Sequence, residues 1–144
     1  MKRLRIALSR REAIIVHRVS IGKLKLAYVL CADKKIKYNS GRSKIVYIGT
    51  TKNGIDRLAQ SSANQSDIVL RERGINTFSV NVVTCTPRQK VKTWRLLERA
   101  LILQFKEMFG EAPACNTQGK NTKWNDELSL FARRRLRTII EDLS

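Results

Sequence analysis

The 144-residue chain contains no run of about 18 apolar residues, which excludes a membrane-spanning helix. Cysteine is sparse. Cys31, Cys85 and Cys115 stand far apart, are odd in number and form no Cys-x-x-Cys pair. That pattern argues against a disulfide frame or a zinc site and fits reduced thiols in a core. His17 is the single histidine. The first residues lack the long apolar segment of a signal peptide, so a cytoplasmic protein is expected. Internal repeats and low-complexity stretches are absent. What is present, 42% hydrophobic and 28% charged residues over the length of one ordinary domain, describes a globular chain with a core of useful size.

Acidic residues are also scarce, and this shortage is the loudest signal. Lys and Arg number 29 against 12 Asp and Glu, a net charge of +17 with a pI near 10.6. The excess is lopsided: residues 1–53 carry a net +12 and residues 54–144 a net +5. Such a field attracts polyanions, and nucleic acid is the commonest one in a cell. A membrane surface is the competitor, but a basic amphipathic helix with a strong aromatic face is not apparent. A solvated basic protein without such a partner is the plain alternative.

Residues 1–22 place short apolar segments, 6–8 and 13–16, between basic residues and read as a basic amino-terminal extension. In residues 24–30, Leu24, Leu26, Tyr28 and Leu30 alternate on one face of a strand. The polar, basic stretch 33–44 reads as a long hairpin connection leading to a second strand over 44–49. Asn53 occupies a helix N-cap position with Asp56 three residues on, and a break is expected before 67–70. A third strand is predicted over 76–85, with Phe78, Val80 and Val82 on one face. Pro87 is suited to open a long helix from about Arg88 to Phe109, which Gly110 ends. Residues 124–143 read as a carboxy-terminal helix. The fold class expected is a small α/β domain, with a central three-stranded, mainly antiparallel sheet flanked by helices. A core domain over 23–120 would lie between the basic amino-terminal extension and a helical one at 121–144.

One position breaks the pattern of the long helix. Val91, Trp94, Leu101, Phe105 and Met108 share a stripe, and Glu98 belongs to the same stripe. A carboxylate in an apolar row is costly to bury without a cation, a metal or hydrogen-bond donors. Glu98 is therefore either a carboxylate at the stripe's edge, paired with Arg57 or Arg95, or a metal ligand or acid-base group. Tyr28 and Tyr47 sit mid-strand, where aromatics pack well, and Gly49 closes the second strand where the chain could simply bend. Arg57 alone would be read as a solvated cation.

Taken in order, Ala27-Tyr28, Tyr47-Ile48-Gly49, Arg57, Leu97-Glu98-Arg99-Ala100-Leu101-Ile102 and Cys115-Asn116 resemble the GIY-YIG nuclease family, with Asn53 in its usual polar stretch. The family includes homing endonucleases, restriction enzymes and the incision domain of excision repair. The resemblance covers about residues 24–117, and its strand-strand-helix-strand-helix order matches the order read from periodicity. There are departures. Leu26-Ala27-Tyr28 stands for Gly-Ile-Tyr, the connection between the tyrosines is longer, and an insertion around 110–113 precedes Asn116. Thr50 occupies the place of a lysine whose phosphate Lys52 could reach.

The resemblance implies metal-dependent endonucleolytic cleavage of duplex DNA. Glu98 would be the one protein ligand of a Mg²⁺ ion, with Mn²⁺ able to substitute, and water and phosphate oxygens would fill the other positions. Tyr47 would act on the attacking water, Tyr28 would orient Tyr47 or the water, Arg57 would hold the scissile phosphate, and Asn116 would support the loop beside the site. Lys34, Lys35, Lys37, Arg42, Lys52, Arg133, Arg134 and Arg135 are the expected phosphate contacts, and the extensions could instead form a homodimer surface. A restriction-like or mobile-element setting fits a lone small domain of this kind by analogy. Two other classes stay open: a catalytically inactive nucleic-acid-binding module of the same fold, and a basic RNA-binding structural protein.

Overall fold

The computed structural model describes residues 4–8, 25–54, 58, 73–116 and 123–144. Three strands, β1 (Leu26–Tyr38), β2 (Gly41–Thr51) and β3 (Phe78–Val83), form one antiparallel sheet in the order β2-β1-β3. Among the described residues three helices follow: α1 (Thr93–Phe109), the single turn α2 (Glu127–Leu130) and α3 (Arg133–Leu143). The expected α/β class and antiparallel sheet are what the chain adopts. Among the described residues no helix is long and apolar enough to cross a membrane.

The central strand β1 is buried without interruption from Leu26 to Ala32. Both of its faces are therefore covered, which removes the in-out alternation that a half-exposed strand would display. Leu101 and Phe105 of α1, Ile45 and Ile48 of β2, and Leu136 and Ile140 of α3 complete a single core. The carboxy-terminal helix thus shares that core. Cys31 lies in it as a thiol that burial pushes up to about 11, and Cys85 and Cys115 are half-buried and, like Cys31, not disulfide-bonded.

Several expectations about element boundaries are corrected. The stretch 33–44 is not a long loop: β1 and β2 continue through it and turn at Asn39 and Ser40. Lys35, Ile36, Lys37 and Tyr38 alternate exposed and buried, so the basic side chains mark the solvent face of a strand. The extra length enters as an irregularity between Cys31 and Ile36, which face Ile45 and Ser43. Tyr38 anchors this end, donating its hydroxyl to the Ile45 carbonyl at 2.6 Å and packing edge-on against Phe105.

The long helix starts at Thr93 rather than beside Pro87, because residues 88–91 close a turn with Lys90 at φ 61. Its end matches the expectation. Gly110 adopts φ 77, returns its N–H to the Lys106 carbonyl, and leaves no room for a Cβ, which would lie 2.7 Å from Ser40 Oγ. The carboxy-terminal helix is two helices, not one. Phe131 and Ala132 are extended, and the buried Glu127 carboxylate holds the preceding turn through Arg99 of α1 and the Asn125 N–H. Strand β3 is shorter than expected at both ends, and Val80 stands partly exposed on it. The helix expected after Asn53, with Asp56 and the break before 67, lies outside the described residues apart from Leu58, which is helical and buried.

Candidate active site

The antiparallel register sets Tyr28 directly opposite Gly49. Tyr47, two residues before Gly49, therefore points to the same face and becomes the diagonal neighbour of Tyr28. The two rings lie 5.9 Å apart at 42°. Glycine is required between them: a Cβ at Gly49 would come within 2.6 Å of Tyr47 Cε1 and 2.8 Å of Tyr28 Cζ and Oη. The Tyr-Ile-Gly triplet is thus a steric unit, in which the absent side chain makes room for two phenols to converge.

Glu98 joins this pair from α1. The buried line of the helix passes through Leu97, Ala100, Leu101, Gln104 and Phe105, which places Glu98 half-buried at its margin. Burial raises the pKa of its carboxyl, opposed by a hydrogen bond from Thr50 and by the charge of Arg95. Thr50, a departure from the family pattern, is therefore part of the site. The Tyr47 hydroxyl is held well above its ordinary value. Burial is the main cause, followed by the neighbouring Tyr28 phenol and the negative charge of Glu98. The site holds Tyr47 neutral and makes the Glu98 charge expensive. Added positive charge would relieve both groups at once.

Asn116 closes the other side of β2. Its Oδ1 accepts from the Ile48 N–H at 3.0 Å and its Nδ2 donates to the Ile48 carbonyl at 2.9 Å. The Cys115 N–H donates to the Val46 carbonyl at 2.8 Å. The segment thus pairs with the outer edge of β2 and fixes the backbone between Tyr47 and Gly49. Asn116 also borders a cavity of about 430 Å³ that Arg73, Lys106 and Glu111 share.

The oxygen donors present (the Glu98 carboxylate, the Thr50 hydroxyl and the Tyr47 phenol) suit a hard dication that keeps most of its water. No group of three or more His, Cys, Asp or Glu side chains able to hold a metal occurs among the described residues.

Of the expected site residues, Tyr28, Tyr47, Glu98 and Asn116 come together around the end of β2, and Arg57 lies outside the described residues. The expected phosphate contacts sit on separate elements. Lys34, Lys35, Lys37 and Arg42 are exposed toward the hairpin turn, and Arg42 Nη2 donates to the Lys35 carbonyl at 3.3 Å. Gly41, which opens β2 there, lies about 20 Å along the strand from Tyr47 at roughly 3.3 Å per residue. Lys52 is exposed just beyond Thr50. Arg133, Arg134 and Arg135 open α3, where Arg133 pairs with Glu107 at 2.7 Å and covers the Trp124 ring. Sequence reasoning missed Thr50 as a partner of Glu98, whereas Arg95, one of the two cations it named for that carboxylate, is the cationic neighbour in place. The signal for Thr50 was present, since it follows Tyr47-Ile48-Gly49 directly. Comparison with family models, with curated proteins and with solved structures gives no match for this chain.

Proposed function

We propose that this chain is an endonuclease that hydrolyses DNA phosphodiester bonds with a divalent cation, by a mechanism of the GIY-YIG type. The observation that carries the reading is the convergence of Tyr28 and Tyr47 across Gly49, with the Glu98 carboxylate beside them on the Thr50 hydroxyl. The charge of +17 supports a polyanionic substrate.

In this reading a water oxygen attacks phosphorus and the 3′-oxygen leaves. A resting Tyr47 is a neutral phenol that cannot itself take a proton, so its Oη orients the attacking water by accepting a hydrogen bond while the water's proton passes to a non-bridging phosphate oxygen or to solvent. Tyr28 fixes that Oη, and Asn116 holds the strand that carries Tyr47. Glu98 is the residue that holds Mg²⁺, with Mn²⁺ as a substitute. The cation, when bound, supplies polarisation of the phosphate and neutralisation at the leaving oxygen. Arg57 is assigned the scissile phosphate by resemblance alone. A restriction-like or mobile-element role in the cytoplasm, with a possible homodimer, completes the proposal.

A second reading, a non-catalytic module binding nucleic acid, is favoured by Thr50. Its hydroxyl serves the Glu98 carboxylate where the family pattern has a lysine. Incubation of the purified chain with supercoiled plasmid in Mg²⁺ and in EDTA separates the two. Cleavage in Mg²⁺ alone supports the nuclease. Binding without cleavage across several divalent metals supports the module, and preference for structured RNA over duplex DNA supports an RNA-binding structural protein.

A further inference from the structure

The turn that delays the start of α1 creates a second feature beside the candidate site. Cys85, residues 87–94 and Lys25 line an open cleft of about 690 Å³. Four cations, Lys25, Arg88, Lys90 and Lys92, border it, and no acidic side chain stands in the first turn of α1 to balance them. Trp94 forms part of its wall. The indole is half-buried, and the Lys25 ammonium lies over its ring face, 4.6 Å from the ring centroid. Trp94 and Glu98 are four residues apart on α1, so their backbone positions are offset by about 6 Å, roughly one helical turn, along the helix axis.

Resting on the nuclease reading, we propose that this cleft seats an unpaired nucleotide of the DNA strand entering the Glu98 site, its base stacked on Trp94 and its phosphates on Arg88, Lys90 and Lys92. Each part of the cleft matches one part of a nucleotide. An aromatic face takes any base, because every base has a π-face, and flexible cations follow the backbone. A base inside an intact duplex is stacked on its neighbours and cannot reach an indole recessed in a cleft, so the occupant is single-stranded or displaced. The Lys25 contact does not block it. An exposed cation–π contact is weaker than base stacking, and the displaced ammonium remains within reach of the incoming phosphates. The substrate class that follows is DNA with an unpaired segment, such as a tail or flap, in preference to a blunt duplex.

The test is binding in EDTA, where cleavage does not intervene, using a fluorescein-labelled duplex with an oligothymidylate tail and a blunt duplex of equal paired length. Wild-type protein is expected to favour the tailed duplex. Trp94→Leu is expected to weaken binding of the tailed duplex about tenfold and to leave the blunt one within about twofold. Oligothymidylate should quench the tryptophan emission of the wild type and not that of Trp94→Phe. The exposed pair Arg88→Gln/Lys92→Gln, which leaves the indole and the core untouched, should lower the log–log salt slope for the tailed duplex by about 1.4, at roughly 0.7 per single-strand phosphate. Equal binding of both duplexes with no dependence on Trp94 would overturn the cleft and leave the nuclease reading standing. Stronger Trp94-dependent binding of a ribonucleotide tail would overturn DNA as the occupant. Failure to bind DNA of either kind would overturn both proposals.

Discussion

Gly49→Ala adds one methyl group where the two phenols converge. The backbone at Gly49 lies outside the left-handed region, so alanine carries no conformational penalty and the effect is steric. The new carbon would meet Tyr47 Cε1 at 2.6 Å, with Tyr28 Cζ and Oη at 2.8 Å. These are atoms of rings, not the ends of flexible chains. Tyr28 is 4% exposed in the core and has nowhere to go. Tyr47 is half-buried, so its ring is the one that must swing outward. Overpacking of this kind typically costs about 1–3 kcal/mol, and restricting the unfolded chain by replacing glycine returns less than about 1 kcal/mol. A net loss of about 1–2 kcal/mol is expected, which for a chain of this size lowers Tm by roughly 3–6 °C. The effect on cleavage should be larger, since a shift of about 1 Å in a reacting group can cost on the order of 100-fold. Thermal melts by circular dichroism and single-turnover cleavage rates read the two effects. Tyr28→Phe removes one of the three close atoms, so the double variant should be less destabilised than the sum of the single ones. A Gly49→Ala protein with wild-type Tm and wild-type cleavage would refute the convergence of the two rings.

Tyr47→Phe keeps the ring and nearly all its contacts, so Tm should move little while cleavage falls by about 10²- to 10⁴-fold in single-turnover assays; an unchanged rate removes the hydroxyl from the mechanism. Glu98→Gln tests the electrostatics. Because the folded-state pKa is raised, this carboxyl's stabilising contribution is full below its ordinary value of 4.5 and is lost as pH rises through the raised value. The amide should therefore raise Tm near neutral pH and lose that advantage in acid, and a lower Tm near neutral pH would mark Glu98 as a structural ion-pair partner. Glu127 has the opposite sign. Burial pushes its carboxyl up, but the backbone N–H donors around Asn125 and the Arg99 guanidinium outweigh burial and hold it low. Its contribution is present above 4.5 and is lost as pH falls through the lowered value. Glu127→Gln should cost about 1–3 kcal/mol near neutral pH in urea melts, and no pH-dependent difference from wild type would refute the role of that pair.

Legibility in the sequence followed the physics of each element. Leu24 to Leu30 alternate visibly, and the strand is there from Leu26, although β1 is buried on both faces and the alternation reports only part of it. The continuation through Ile36 and Tyr38 was hidden by Lys34, Lys35 and Lys37, because a basic composition resembles a loop unless the alternation within it is weighed. Gly110 announced the end of α1, since only glycine fits both its positive φ and the approach of Ser40. Pro87 misled about the start, because the backbone spends residues 88–91 on a turn that no strong sequence signal demands. Glu127 was missed altogether. Its burial depends on Arg99, 28 residues away, and no local pattern encodes that pairing. Tyr28, Tyr47, Gly49, Glu98 and Asn116 were legible only as an ordered set, since each residue alone suits a strand, a bend or a helix margin. Trp94 read as one more apolar residue on a stripe, and its place in a basic cleft emerged only with the delayed helix start.

The most direct test of the central claim is cleavage of supercoiled plasmid by the wild-type chain and by Glu98→Gln, each in Mg²⁺ and in excess EDTA, with duplex affinity measured in parallel. The account predicts that wild-type protein nicks or linearises the plasmid in Mg²⁺ only, and that Glu98→Gln binds DNA within a few-fold of wild type but does not cut it. Equal cleavage by the two proteins, or cleavage by the wild type that persists in EDTA, would contradict it.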